Sequence, residues 1–246
     1  GGIVYFENTV CLACKSRLGY DARRNAVVAL KADADGALRC VEGGTVGREV
    51  VRYCANSVQG VCNWLTGAHS ADELCQACEL NRTIPNLSEA GNLDAWRELE
   101  RAKKRLVYSL LQFGLPLDGT PWGTGRLTFD FMRKAMTGHQ DGVITVDIKE
   151  ADSVERERER LRFDEPYRSL LGHLRHESGH FYWMLLVEAA GRIDEFRTLF
   201  GDERRDYGAA LGEHHANGAP ADWHSHHVSA YASAHPWEDW AQSWAH

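Results

Sequence analysis

Between residues 92 and 113 apolar side chains recur at helical spacing. Leu93, Trp96, Leu99, Leu106, Leu110 and Leu111 fall on one face with Arg and Lys opposite, which predicts an amphipathic helix. Asn92 or Asp94 can cap it, because short polar side chains accept hydrogen bonds from the free N–H groups of a first turn. Gly114 and Pro116 end it. Two strand-like runs follow, 127–132 and 142–148; the second alternates Val143, Thr145 and Asp147 against Ile144, Val146 and Ile148. Over 155–162 Glu and Arg mostly alternate, placing opposite charges three apart, as on a solvated helical face. After Pro166, the residues Tyr167, Leu170, Leu171, Leu174, Phe181, Tyr182, Met184, Leu185 and Leu186 pattern a buried helix that ends at Gly191. Residues 193–246 read as helical, with breaks at Gly201, Gly218-Ala219-Pro220 and His235-Pro236, and no internal repeat or low-complexity tract interrupts the chain.

The 246 residues, 43% hydrophobic and 26% charged, suffice for one large domain or a domain with a small module. A formal charge of -7 argues against nucleic acid as a partner, since counterion release needs clustered Lys and Arg. No apolar run approaches the about eighteen residues that cross a bilayer, and no leader pattern opens the chain, so the expectation is a cytoplasmic protein with no membrane partner. Gly1 in place of Met, and a last segment that stops within a helical pattern, read as trimmed ends. The seven Cys all lie before position 79, whereas eleven of the twelve His start at His139. This asymmetry divides the chain into a Cys module, 1–84, and a His-bearing domain, 85–246.

His176-Glu177-Ser178-Gly179-His180 lies within the predicted buried helix. Two histidines four residues apart are separated by only about 40° around a helix, so both reach one metal. Neutral imidazoles suit zinc, and a catalytic zinc has three protein ligands and one open position. Glu177, beside the first histidine, is placed to take a proton from water that the metal acidifies. His173 lies nearly on the stripe of His180, but seven residues give about 10.5 Å of rise, too far to share a zinc with bonds of about 2.1 Å. It reads as a packing or supporting residue. The third ligand comes from the tail, among Glu213, His214, His215, His224, His226, His227, His235 and Glu238, and spacing alone does not choose. Glu238 is preferred because it opens a segment with Trp237, Trp240, Ala241, Trp244 and Ala245 that would pack on the site helix, whereas 224–227 reads as loop. The alternating run 142–148 is expected to be the sheet edge along which an extended substrate pairs.

Cys54, Cys62, Cys75 and Cys78, spaced C-x7-C-x12-C-x2-C, supply four thiolates for a closed tetrahedral zinc, against the plain alternative of buried free thiols. Cys11 and Cys14 form a further knuckle for which only Cys40 remains, so it reads as an orphaned half-site.

Several short stretches occur together: Tyr53-Cys54-Ala55-Asn56, Cys62-Asn63-Trp64-Leu65, Asn81-Arg82-Thr83-Ile84-Pro85, Thr137-Gly138-His139, Glu165-Pro166-Tyr167-Arg168, Gly172-His173-Leu174-Arg175 running into the His176–His180 motif, Phe200-Gly201-Asp202-Glu203, and 229–239 from Ser229 through His235-Pro236-Trp237-Glu238-Asp239. In these the chain resembles, over essentially its whole length, a bacterial family of zinc-binding metallopeptidases with an N-terminal zinc-ribbon domain. The resemblance implies a peptidase half of the gluzincin type, where a Glu from a later helix, here Glu238, completes a His-His-Glu site. It also implies a role for Tyr231, at the offset of seven before Glu238 where lethal-factor-type metallopeptidases carry a Tyr, as donor to a developing oxyanion; the alternative is a core tyrosine. Where that pattern has a Glu one turn after the ligand, this chain has Gln242, which puts the tuning of the metal-bound histidines in question. The family further implies a C-x-x-C upstream of residue 1 to complete the Cys11–Cys14 site, with Cys40 a bystander and the first forty or so residues loose without that metal.

The resulting expectation is an α+β protein: a zincin-like domain, mostly helical with a small sheet, preceded by a zinc-ribbon-like module. It would bind Zn2+ at one catalytic site (His176, His180, Glu238) and one structural site (Cys54, Cys62, Cys75, Cys78). Its activity would be hydrolysis of peptide or related amide bonds with Glu177 as general base and Tyr231 assisting. The alternative is a catalytically weak or inactive zinc-binding module that engages a protein partner through its Cys half.

Overall fold

In the computed structural model, which describes residues 2–67, 73–119, 123–153 and 169–246, the chain forms two compact units, Gly1–Leu115 and Pro116–His246. The first unit holds an antiparallel meander whose strands pair in chain order: β1 (Arg17–Asp21), β2 (Ala26–Ala32), β3 (Leu38–Glu42), β4 (Thr45–Tyr53) and β5 (Leu65–Gly67). Glu42 pairs with Thr45 across Gly43 and Gly44, both at positive φ, the backbone that a two-residue turn matched to strand twist requires. Val28, Leu30, Cys40, Val51 and Leu65 form its buried cluster. Within the first forty residues, Arg17–Asp21, Ala26–Ala32 and Leu38–Cys40 take part in this pairing, and Cys40 is a core side chain.

A short strand, β6 (Asn81–Thr83), precedes helix α1 (Asn92–Gln112). Its cap is Gly91, at φ 82 with no side-chain bond, rather than Asn92 or Asp94. Trp96, Leu99, Leu106 and Leu110 are buried as the periodicity requires, but the polar side is not all solvated: Glu100, Lys103 and Lys104 are buried too. Phe6, Tyr20 and Tyr108 of α1 meet ring to ring within the unit. The division by compactness therefore keeps α1 with the cysteines, whereas the composition step at 84/85 assigns it to the second half.

In the second unit β9 (Val143–Asp147) pairs in parallel with β7 (Thr128–Met132) and antiparallel with β8 (Gly138–Gln140). The alternating run is thus an inner strand, not the expected edge, and the edge beside it is β8. Ile144 and Val146 point into the core and the intervening Val143 and Thr145 are less buried, which is why the alternation is legible.

Helix α2 (Leu170–Trp183) is capped by Ser169, whose hydroxyl accepts from the Gly172 N–H at 3.0 Å, and it runs into a π-helical turn, Met184–Glu188. Then come α3 (Ile193–Phe200), α4 (Tyr207–Asn217, capped by Asp206), two short 3-10 turns (Trp223–Ser225 and Tyr231–Ala234) and α5 (Pro236–Ala245). The breaks fall at Gly201, Gly218 and His235-Pro236; Pro236 suits a first helical turn, where no N–H is needed. Helix α5 packs along α2: Trp240 Nε1 donates to Gly179 O at 2.8 Å, Trp244 Nε1 donates to Ser178 Oγ at 3.1 Å, and the Tyr182 and Trp244 rings stack at 4.8 Å. The charge-alternating run 155–162, Pro166 and Tyr167 lie outside the described residues. Among the described residues no helix is long and apolar enough to cross a membrane.

Candidate metal centres

His176 and His180, one turn apart on α2, have ring centroids 5.0 Å apart. The packing of α5 on α2 brings Glu238, in the first turn of α5 and 1% exposed, between them. His176 Nε2 lies 3.1 Å from Glu238 Oε2, and His180 Nε2 lies 3.7 Å from Glu238 Oε1. Ligand atoms on a tetrahedral zinc with bonds of about 2.1 Å are roughly 3.4 Å apart, so this set already has the right spread. Glu238 Oε2 and His176 Nδ1 are buried without a hydrogen bond, a cost that a cation on the carboxylate would remove on the glutamate side. Burial pushes the Glu238 carboxyl up, but His176, His180 and the Tyr207 hydroxyl bring it below its ordinary value; burial holds His180 down. An ionised carboxylate beside a neutral imidazole is the protonation state metal binding needs. Among the described residues, no other tail candidate joins this group. Glu213, His215, His224 and His226 are exposed, His227 Nδ1 pairs with Asp239 Oδ2 at 2.9 Å, and His235 caps α5 by accepting from Trp237 N at 3.1 Å.

Glu177 points to a different set of partners. His173 Nε2 is 3.3 Å from Glu177 Oε1, and its Nδ1 donates to Glu150 Oε2 at 2.7 Å. Thr137 Oγ1 donates to Glu150 in turn. Burial works against a charged His173, yet the two carboxylates raise it to about 10; burial likewise works against the Glu177 charge, and His173 with the other histidines lowers it to about 2. Both nitrogens of His173 are thus engaged by carboxylates, in keeping with the supporting role that helical rise assigns it. The Tyr231 ring sits 6.3 Å from the His176 ring, and the Tyr207 hydroxyl donates to Glu238 Oε1 at 2.6 Å. His139 on β8 lies 6.3 Å from the His180 ring, accepts from Gly142 N at Nε2 (3.1 Å), and is driven by burial to about 4, so its Nδ1 carries the proton. Gln242 is half-buried, and its backbone carbonyl accepts from His246 Nδ1 at 2.8 Å. Tyr207, Glu150 and His139 have no place in the sequence-based site; each arrives from a separate element, and His139 is marked in the sequence only as part of the Thr137-Gly138-His139 stretch.

In the first unit the sulfurs of Cys54, Cys62, Cys75 and Cys78, all buried, lie within 4.8 Å of one another, with Cys62 and Cys75 at 3.6 Å. Sulfurs around a tetrahedral zinc with bonds of about 2.3 Å are roughly 3.8 Å apart, whereas a disulfide needs about 2.05 Å. Cys75 N donates to Cys54 Sγ at 3.3 Å and Trp64 N to Cys62 Sγ at 3.4 Å, bonds that favour thiolates. The cluster shares protons unevenly: S–H donors from Cys62, Cys75 and Cys78 lower Cys54, while the bonds to Cys54 raise Cys62 and Cys75. Cys11 is buried and Cys14 exposed; Cys11 N bonds Ser16 O at 2.9 Å and Lys15, at φ 60, donates from its N–H to Cys11 O at 2.8 Å. Among the described residues no third group of metal-binding side chains assembles around this knuckle.

The chain is 38% identical, over 98% of its length and 68% of theirs, to an uncharacterised protein of Mycobacterium bovis and to uncharacterised proteins of two Mycobacterium tuberculosis strains, CDC 1551 and H37Rv. No solved structure gives a significant match. Residues 1–89 match a zinc-ribbon domain model, and residues 92–246 match the family described as "Putative zinc-binding metallo-peptidase". With the two ligand clusters falling one in each matched region, the chain belongs to this family of zinc-binding metallopeptidases and carries a zinc-ribbon domain ahead of the peptidase region.

Proposed function

We propose that this protein hydrolyses peptide or related amide bonds at the His176–His180–Glu238 centre, with Glu177 as general base. The observation that carries the reading is the separate engagement of Glu177: its carboxylate is buried against His173 rather than joined to the ligand cluster, a placement that a purely structural metal would not use. A zinc ion held by His176, His180 and Glu238 would polarise the scissile carbonyl and acidify a water molecule. Glu177 then takes the proton of the attacking water and passes it to the leaving amine, so no covalent intermediate is required. His173, charged and braced by Glu150, orients Glu177, and the Tyr207 hydroxyl fixes the rotamer of Glu238. Tyr231, close to His176, supplies a hydroxyl for the developing oxyanion. Strand β8, the edge beside the site helix, offers its backbone to an extended substrate. In this reading Cys54, Cys62, Cys75 and Cys78 hold a second, structural zinc.

The test is cleavage of a quenched fluorescent peptide library by the zinc-loaded protein and by Glu177→Gln, with zinc per chain measured for both. The expected result is two zinc equivalents in each and hydrolysis at least about a hundredfold slower in the variant. Equal hydrolysis by the variant, or no cleavage by the doubly loaded wild type, rejects the catalytic assignment; the second outcome supports a zinc-binding interaction module instead.

A further inference from the structure

Two lysines of α1 are buried beside the cysteine cluster, Lys103 at 0% and Lys104 at 5% exposure. A buried ammonium is costly unless something nearby needs its charge. Glu100, itself fully buried, sits between them, with Oε1 2.7 Å from Lys103 Nζ and Oε2 3.1 Å from Lys104 Nζ. Asn81 Nδ2 donates to Glu100 Oε1 at 2.7 Å and Asn81 Oδ1 accepts from Lys103. Lys104 also donates to the carbonyl of Val61, the residue before Cys62. Across this trio lies the metal cluster, for Cys78 Sγ is 3.9 Å from Glu100 Oε2. Two ammonium groups and one carboxylate leave one positive charge, while four thiolates around a divalent cation carry two negative ones.

We infer that Lys103 and Lys104 are the counter-cations of a divalent-metal tetrathiolate at Cys54, Cys62, Cys75 and Cys78, and that Glu100 braces both ammonium groups while itself opposing the thiolates. Backbone N–H groups serve Cys54 and Cys62, and Lys104 is held beside the cluster by the Val61 carbonyl and by Glu100 Oε2, the same oxygen that lies 3.9 Å from Cys78 Sγ. Burial works against the Lys104 charge, yet Glu100, Cys62 and Cys78 together raise its proton affinity. The helix that opens the peptidase-matched region thereby belongs electrostatically to the ribbon's metal.

Counter-charges change metal affinity in either sign, whereas lost packing only lowers it. Lys104→Met removes a positive charge, Glu100→Gln removes a negative one, and the double variant Glu100→Gln with Lys103→Met keeps the charge of the trio while dismantling it. The readout is titration with cobalt(II), whose thiolate charge-transfer absorption reports the cysteine site and is absent for His-His-Glu ligation, followed by back-titration with zinc. Each variant is first shown to be folded by circular dichroism. With charges a few ångströms apart in a protein interior, zinc affinity is expected to fall roughly ten- to a hundredfold in Lys104→Met, to rise in Glu100→Gln, and to stay within about threefold of wild type in the double variant. Affinities that fall with the number of side chains removed, the double variant lowest, would show that the trio only packs. Absence of the thiolate band in the wild-type protein would reject the metal site itself, and the lysine assignment with it. Should Glu100→Gln not fold, the comparison of Lys104→Met with Lys104→Arg decides: the charge-keeping variant is expected to retain most of the affinity, and equal losses overturn the inference.

Discussion

Gly179, one of the two unspecified positions in the His-Glu-x-x-His motif, governs how closely α5 approaches α2. A Cβ built there would lie 3.0 Å from Ala241 Cα and 3.2 Å from both Trp244 Cβ and Cδ1, against ordinary carbon contacts of about 3.5–4.0 Å. Gly179→Ala therefore forces α5 outward by about 0.5 Å, and Glu238 stands on α5 less than one turn before Ala241. Two effects compete. Alanine in a helix interior gains about 0.8–1.0 kcal/mol over glycine, while overpacking a close contact costs about 1–3 kcal/mol, more so because the Trp240 bond to the Gly179 carbonyl holds the two helices together. The second effect wins, giving a net loss of about 1 kcal/mol in urea unfolding. The functional effect is larger, because metal sites tolerate ligand displacements of only about 0.2 Å. Zinc at the His176–His180–Glu238 centre is expected to bind at least about tenfold more weakly, with the cysteine-site zinc unchanged as the internal control. A variant that is stabilised by about 1 kcal/mol and retains both zinc ions with native affinity would refute the argument that this glycine sets the helix separation.

Two further outcomes follow from the groups around the site. Tyr207→Phe removes the hydroxyl that donates to Glu238 Oε1, and loss of such outer hydrogen bonds costs about 10–100-fold in metal affinity; competition with a chelator should show that loss at the histidine site alone, and an unchanged affinity would mean that Tyr207 merely packs. His173, raised to about 10 by Glu150 and Glu177, has a folded pKa above its unfolded one of about 6.5, so its charged pairing stabilises fully below pH 6.5 and is lost as pH rises through about 10. The difference in urea stability between wild type and His173→Gln should accordingly be largest near pH 6 and shrink towards pH 10; a difference that does not vary with pH would show that His173 is uncharged in the native protein.

The helices of the second unit were legible because their burial follows the 3.6-residue period: Leu174, Phe181 and Tyr182 of α2 and Ala241 of α5 are buried where the pattern places them. The meander of the first unit was not. Strand β4 reads Thr-Val-Gly-Arg-Glu-Val-Val-Arg-Tyr with Val51 its one fully buried residue, so this strand leaves little alternation to detect, and Gly43-Gly44 was the main available signal. The lysines of α1 escaped for the opposite reason: periodicity assigns charged residues to solvent, and only contact with Val61 and Asn81, far away in sequence, explains their burial. For the same reason Tyr207 and Glu150, which reach the site from other elements, are invisible to spacing arguments, whereas His176 and His180 are linked by spacing alone.

The interleaving of two such spacings accounts for the division of labour at the site. His176 and His180 are separated by four residues, and so are His173 and Glu177, which places the proposed base and its brace on the stripe beside the histidine pair. One segment of α2 therefore fixes four of the proposed participants relative to one another, and any shift of that helix carries them together. Glu238 has no such bond to the group, because it reaches His176 and His180 only through the packing of α5. The geometry of the centre is consequently set by a helix-to-helix distance rather than by local sequence, and that distance is held by Gly179, Trp240 and Trp244, residues that coordinate nothing.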